Sequence, residues 1–578
     1  MAITAKLYVN GDDVFLAWRA PPIAGCLGFA VHRTLTPANG QPAQKGFIVN
    51  RTGFEGDDNP PHSFKSSAQW PFQRYTWTDH GVSEGDVVTY RIVPVKGTPT
   101  APAPDETMSV TVGPVKATAQ AKGKSWAYFN RGTLMSQFMA RELGDKVADL
   151  SFLNQLKKSL QKDDSRLRKF LSGELGARLL TLLDDAAAKG QHLYAALYEL
   201  DDAALIARLA ILRKRAHVVL SNGSKKKKGE DGNAEAAAAL DGVIDLTRRM
   251  LWSKGLGHNK FVVFARRANE PFAVWTGSTN WATTGLCTQA NNGIYIEHTG
   301  LAKLYFEQYK RLKADNALFG DALVDSNNVP KDAVAMAGVK RRVVVTRTRG
   351  GQDMADASEL INNAEKAVLF LMFEPGNGGL LPVIQSRLSS ASATFDPALY
   401  VQGVVNSFKP GGKGADGTGA VDARVEVIGR GENKPFDLRI IQPDGIRHDL
   451  ASWAREVTRR EFVIGSGGVI GHAIVHSKII VIDPLTSPVV ITGSHNFSAN
   501  ASSQNDENFL VIRGDSELAQ RYCVNIMNVY QHYRWRQYLI ECEARGISPW
   551  QGLRKSDHWQ DRMSASRKAE LDFWVGSA

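Results

Sequence analysis

The sequence predicts an α/β protein in which two copies of one lobe share a site, preceded by an all-β sandwich. Three observations predict it. Residues 1–115 read as short alternating strands broken by Pro and Gly turns. The remainder alternates strands with helices, the pattern of α/β architecture. Within it, one motif order (His-x-Lys, a strand, Gly-Ser-x-Asn) occurs twice. Composition agrees: of 578 residues, 43% are hydrophobic and 22% charged, which excludes a fibrous or wholly disordered chain. At about 100–200 residues per domain, roughly three or four units are expected.

The N-terminal elements come first. Val14–Trp18 alternates until Pro21 and Pro22 stop it, and Gly28–Arg33 is a second strand. Tyr75–Asp79 and Val87–Val95 flank a turn at Glu84-Gly85, and the Pro- and Thr-rich segment Gly97–Pro104 reads as a linker. Trp18 and Tyr90 resemble the core Trp and the tyrosine-corner residue of fibronectin type III domains. That resemblance implies a binding or spacing module over residues 1–115.

The duplicated part divides into a first lobe, 116–330, and a second, 331–578. The first opens with strand His192–Leu200, helix Asp202–Arg213 and strand His217–Ser221. The second repeats this as Ala367–Glu374, Leu380–Leu388 and Leu399–Asn406. Each copy then passes through a polar insert, with the lysine run Lys225–Lys228 in one and the Gly-rich Lys409–Gly419 in the other. A charge run of this kind reads first as a solvated loop.

Bulk properties bound the partners. An excess of 70 Lys+Arg over 59 Asp+Glu, net +11, favours anionic partners: nucleic acid, a membrane surface or a phosphorylated ligand. Cys26, Cys287, Cys523 and Cys542 are scattered, so neither a disulfide framework nor a zinc cluster is expected. The longest apolar run, Ala367–Phe373, is far short of a membrane span, and Met1–Ala5 does not read as a signal peptide. A cytoplasmic protein is expected, or one exported without a cleaved signal.

The motifs carry the chemistry. Of 13 histidines only His258 and His476 are followed two residues later by lysine, Lys260 and Lys478. Gly277-Ser278-Thr279-Asn280 follows the first pair and Gly493-Ser494-His495-Asn496 the second. A further Asn, Asn292 or Asn508, lies fifteen residues beyond each glycine. On a strand, residues two apart share a face, so each His and Lys project together. Two imidazoles, two ammonium groups and the amides of Asn280 and Asn496 around one point suit a phosphodiester anion. Lysine and amide groups stabilise the charge on its oxygens while one histidine attacks and the other moves the proton. No cofactor or metal is expected.

These residues resemble the phospholipase D superfamily, whose signature is a paired His-x-Lys-x4-Asp motif. His476, Lys478 and Asp483 match it in full; His258 and Lys260 are followed by Ala265 where the family has Asp, a departure shared with tyrosyl-DNA phosphodiesterases. The resemblance implies duplicated phospholipase D-like lobes and a phosphohistidine intermediate. It also implies an acidic residue, 14 positions after the motif glycine, that bonds the histidine's second nitrogen. Glu507 holds that place in the second copy and Asn291 in the first. Pairing each with the histidine of its own copy makes His476 the general acid and His258 the nucleophile. Ser278, Ser494, Asn291 and His495 are further candidates for substrate contact. Glu199 and Glu374, His472, Arg131 and the aromatic stretch Tyr530–Tyr538 are weaker ones.

Three functional readings follow. The first is a phospholipase D releasing phospholipid headgroups to leave phosphatidic acid, with a monomeric catalytic unit. The second is a nuclease or DNA-end phosphodiesterase. The third is a non-catalytic lipid- or nucleic-acid-binding protein. The long inserts favour the first; the basic balance and Ala265 favour the second; intact His, Lys and Asn in both copies disfavour the third.

Overall fold

The computed structural model describes residues 2–57, 63–132, 150–224, 230–251, 255–316, 320–376, 378–406, 439–441, 475–544 and 552–576. The lysine run Lys225–Lys228, the Lys409–Gly419 segment and His472 lie outside them. The chain forms two compact units. One comprises Met1–Ala119 with Arg534–Ala578, the other Gln120–Ile428 with Arg439–Tyr533.

The first unit contains two antiparallel sheets. One is built from Thr4–Val9, Val14–Arg19 and Thr76–Asp79; the other runs in the order Val110–Lys116, Val87–Thr98, Gly28–Thr36, Gln44–Phe47. Trp18 is fully buried, edge-on to Phe29 at 5.8 Å between centroids. Tyr90 donates its hydroxyl to the Asp79 carboxylate at 2.8 Å, which Arg33 also grips. The expected linker is instead a hairpin: Ala101–Pro104 pairs back onto Val95–Thr98. Gly97 permits it, because φ is +94° and a Cβ there would meet the Ala101 carbonyl at 2.5 Å.

The C-terminus departs from the expected boundary. The second lobe does not run to residue 578, because helix Trp559–Trp574 packs on the Val14–Arg19 strand. Trp574 lies edge-on to Tyr8 and Phe15, Trp559 donates to the Cys26 carbonyl at 2.9 Å, and Arg19 pairs with Asp572. Burying these rings outweighs chain order, since each large aromatic removes much apolar surface from water.

The second unit holds both lobes, each on an eight-stranded sheet. The first sheet runs Gln120–Ala121, Ser125–Phe129, Asn292–Glu297, Pro271–Gly277, Lys260–Ala265, His192–Leu197, Ala216–Ser221, Asp245–Arg249. The second repeats that order as Lys331–Met336, Val339–Val345, Asn508–Arg513, Val489–Gly493, Ile479–Ile482, Ala367–Met372, Tyr400–Val405, Ile440–Ile441. In each sheet the motif strand runs antiparallel to the opening strand, which pairs in parallel with the next. Such central strands are covered on both faces and read as continuous apolar runs. Phe261–Ala265 and Ile479–Ile482 do so and are buried throughout. Helix Ala203–Leu212 follows the first opening strand, capped by Asp202, which a buried Arg168 clamps at 2.7 Å. Both opening strands end earlier than expected, at Leu197 and Met372. That leaves Tyr198-Glu199 and Phe373-Glu374 beyond the sheet, at the same end as the motifs.

Matching residues of the two lobes lock together. Asn292 donates to Thr492 at 2.8 Å and to Tyr522 at 3.3 Å; Asn508 accepts from Thr276 at 2.8 Å and from Tyr305 at 3.1 Å. All six side chains are buried. Among the described residues, no helix is long and apolar enough to cross a membrane.

Candidate active site

The two motif histidines meet where the lobes join, their ring centroids 6.5 Å apart. His258 and His476 are each 4% exposed, Lys260 1% and Lys478 0%. Each lysine ammonium donates to the carbonyl of its own histidine, at 2.7 Å for Lys260 and 2.6 Å for Lys478. Each also lies over an aromatic ring, Tyr198 at 5.1 Å and Phe373 at 4.8 Å. The same two rings flank the histidines, at 4.7 Å from His258 and 4.9 Å from His476. Sequence reasoning missed these walls. Their signal was present: each directly precedes one of the matched glutamates, Glu199 and Glu374.

The orienting residues cross between lobes, which corrects the expected pairing. His258 Nδ1 lies 2.7 Å from Glu507 Oε2, and His476 Nδ1 lies 2.9 Å from Asn291 Oδ1. The cause is local. The loop entering the Asn292 strand runs beside the segment leading to His476, which donates its N–H to the Ala290 carbonyl at 3.0 Å. The loop entering the Asn508 strand likewise runs beside His258, with Asp506 N–H on the Leu256 carbonyl at 2.8 Å.

Ser278 and Ser494 sit behind the site rather than facing a substrate. Each donates to the orienting residue of its own lobe, Asn291 and Glu507, at 2.8 Å, and is fully buried. Asn291 directs its N–H groups to Gly285 O and Gln289 Oε1, so its oxygen must face His476. Asn130 supports that loop through carbonyls 285, 286 and 289 and accepts the Asn291 N–H at 2.8 Å. His495 is also not a substrate contact. It is fully buried, pairs with Asp353 at 3.2 Å and accepts the Phe497 N–H.

Asp483 lies at the far end of the motif strand from His476. It accepts the backbone N–H groups of Glu365, Lys366 and Ala367 at 2.7–2.9 Å, anchoring the opening strand instead of touching the chemistry. Ala265 holds the equivalent place in the first lobe, opposite His192. Arg131 lies over the Phe170 ring, and Tyr530 and Tyr533 are buried. Asn280 donates to Glu199 Oε2 at 2.5 Å, which brings Glu199 into the site; Asn496 is half-buried.

Electrostatics follow from burial. Desolvation pushes His258 down to about 4, against the pull of Glu507 and with the repulsion of Lys260. Burial raises Glu507, but His258 and Lys260 outweigh it and hold the carboxyl below its ordinary range. The pair is therefore carboxylate and neutral imidazole at pH 7, with the proton on Nδ1 and the Nε2 lone pair free. Burial pushes Lys260 down to about 7 against Glu507 and Glu199. Lys478 is also lowered, by burial and then by Lys260. Such ammonium groups keep their protons best beside an anion. Among the described residues, no group of three or more His, Cys, Asp or Glu is placed to hold a metal ion.

A duplicated α/β fold brings one His-Lys pair from each lobe to a single buried site. Residues 421–529 match the family described as cardiolipin synthase, PLD-like domain. A phospholipase D of Rickettsia felis is 42% identical over 73 residues, 13% of this chain and 34% of that protein. One of Rickettsia conorii is 47% identical over 55 residues, 10% of this chain and 26% of that protein. The chain thus spans about a third or less of these relatives' length. Among solved structures, a phosphatidylserine synthase of Haemophilus influenzae aligns with TM-score 0.40 and 10% identity, over 69% of this chain and 93% of that one. A yeast tyrosyl-DNA phosphodiesterase aligns with TM-score 0.31 and 11% identity, over 57% and 84%. The family match is confined to residues 421–529, over which the chain is similar to a phospholipase D-like domain.

Proposed function

We propose that the protein is a phospholipase D, hydrolysing phospholipid headgroups to phosphatidic acid through a phosphohistidine. The observation that carries the mechanism is the unequal support of the two imidazoles. Glu507 holds His258 as the neutral tautomer whose Nε2 is free to attack. Asn291 holds His476 through a neutral amide. In the first step His258 Nε2 bonds to phosphorus, the bond to the headgroup oxygen breaks, and His476 Nε2–H gives that oxygen its proton. In the second, His476 takes a proton from water, the water oxygen attacks phosphorus, and the bond to His258 breaks. Lys260 and Lys478 lie against the growing negative charge throughout.

The lipid reading draws on the names of the phospholipase D relatives and on the long inserts. Phosphatidylcholine and phosphatidylethanolamine vesicles, and single- and double-stranded DNA, are incubated with the protein in EDTA. Headgroup release that disappears in His258→Ala supports the proposal. DNA cleavage without lipid turnover sinks it, and activity on neither leaves a binding protein.

A further inference from the structure

The two site asparagines present an unmet need. Asn280 is buried, and its Oδ1 has no hydrogen-bond partner. Asn496 Oδ1, at the matching place in the second lobe, is also buried and unpartnered. For Asn280 the orientation is forced. Its Nδ2 faces Glu199 Oε2 at 2.5 Å, and a carboxylate can only accept. Glu199 is itself fixed, because Ser224 donates to its other oxygen. The backbone holds the two side chains opposite each other: Trp281 N–H bonds Glu199 O at 3.2 Å, and Asp201 N–H bonds Trp281 O at 3.1 Å. The amide therefore cannot turn over, and its oxygen stays an acceptor.

A phosphodiester anion brings acceptors only. A buried acceptor without a donor is costly, so the donor must come from the substrate beside its phosphate. We infer that Asn280, positioned by Glu199, forms an acceptor subsite selecting phosphodiesters that carry an O–H or N–H donor next to the phosphate. This rests on the phosphodiesterase reading above. Ethanolamine and glycerol headgroups supply such a donor. A quaternary ammonium has none, and the deoxyribose on either side of an internal DNA phosphate has no hydroxyl. The negative charge of Glu199, felt at both Lys260 and Lys478, adds to the preference for an ammonium donor over a second phosphate.

The readout is a ratio, so the fraction of folded enzyme cancels. Vesicles of phosphatidylethanolamine, phosphatidylglycerol or phosphatidylcholine with matched acyl chains form one arm. The soluble p-nitrophenyl phosphodiesters of ethanolamine and choline form the other, separating the headgroup's chemistry from the lipid surface. In both arms kcat/KM is expected to favour the donor-bearing substrate by about tenfold or more, the worth of one well-placed hydrogen bond. Glu199→Gln lets the Asn280 amide turn over, because a glutamine N–H can donate to Oδ1, and the ratio should fall towards about one. Equal rates in the wild type, a preference for choline, or a ratio unchanged in Glu199→Gln would each overturn the inference. Hydrolysis of no phosphodiester in either arm would overturn the phosphodiesterase reading and this inference with it.

Discussion

His258 Nδ1 lies 2.7 Å from Glu507, although the two residues belong to different lobes and stand 249 positions apart. Neither lobe therefore completes its own histidine. In the proposed mechanism the carboxylate fixes the Nδ1–H tautomer and stabilises the positive charge that grows on the ring as Nε2 bonds to phosphorus, as Asp does for the histidine of a serine protease. Glu507→Ala should lower kcat by about a thousandfold with little change in KM. Glu507→Gln, which can still accept the Nδ1–H, should fall between. Steady-state kinetics on one soluble phosphodiester checks both, and a KM effect without a kcat effect would contradict this role.

The proposed division of labour between the histidines has its own signature. A p-nitrophenolate leaving group needs no proton, so His476→Ala should still form the phosphohistidine but hydrolyse it slowly. An initial burst followed by slow turnover is expected, with the acid-labile phosphate on His258 by peptide mapping. Phosphate recovered on His476 in the wild type would reverse the assignment.

Asp483 separates stability from chemistry. Its carboxylate takes three backbone N–H groups at the start of the Ala367–Met372 strand. Asp483→Ala leaves these donors unmet near a buried strand and should cost about 3 kcal/mol of stability. Denaturant melts should show it, while kcat per folded molecule stays within about twofold. A large loss of kcat in folded Asp483→Ala would return this residue to the chemistry.

The legible part of the site was its covalent spacing. His258 and Lys260, and His476 and Lys478, share a face because a strand alternates, and the duplicated order announced two lobes. What the sequence hid was the crossing of Glu507 and Asn291, which depends on how two sheets pack and leaves no trace in either copy's spacing. His495 was misleading for a related reason: it stands inside the Gly-Ser-x-Asn motif, yet its ring turns back to Asp353. The C-terminal helix misled through chain order, since Trp559 and Trp574 pack with N-terminal strands. Gly97–Pro104 had a linker's composition but the pairing of a hairpin.

Arg249 tests whether the junction between lobes supports catalysis. This buried guanidinium joins Asp315 of the first lobe at 2.9 Å to Asp506 of the second at 2.7 Å. Asp506 precedes Glu507 and anchors the loop beside His258. Burial raises the Asp506 carboxyl even with Arg249 and Arg347 near it. Arg249→Met removes one partner of a buried pair and should cost about 3–5 kcal/mol. It should also lower kcat at temperatures where the protein remains folded, because Glu507 loses its anchor. Unaltered kcat alongside reduced stability would confine Arg249 to a structural role.

The pH dependence follows from His258 and Lys260. Protonation of Nε2 stops attack, so kcat/KM should fall as pH drops through about 4. Lys260 loses its proton in the free enzyme as pH rises through about 7, and kcat/KM should fall there too. Lys478, lowered in the same direction, narrows the window from the alkaline side. The optimum for kcat/KM is therefore expected on the acid side of neutrality. A bound phosphodiester anion favours the ammonium form, so the alkaline limb of kcat should lie at higher pH than that of kcat/KM. For stability, Lys260 acts oppositely. Between about 7 and its unfolded value near ~10.4, the unfolded chain binds a proton the folded one lacks, so its contribution rises with pH. Coincident alkaline limbs for kcat and kcat/KM, or a kcat/KM optimum above pH ~8, would place the titrating group elsewhere than Lys260.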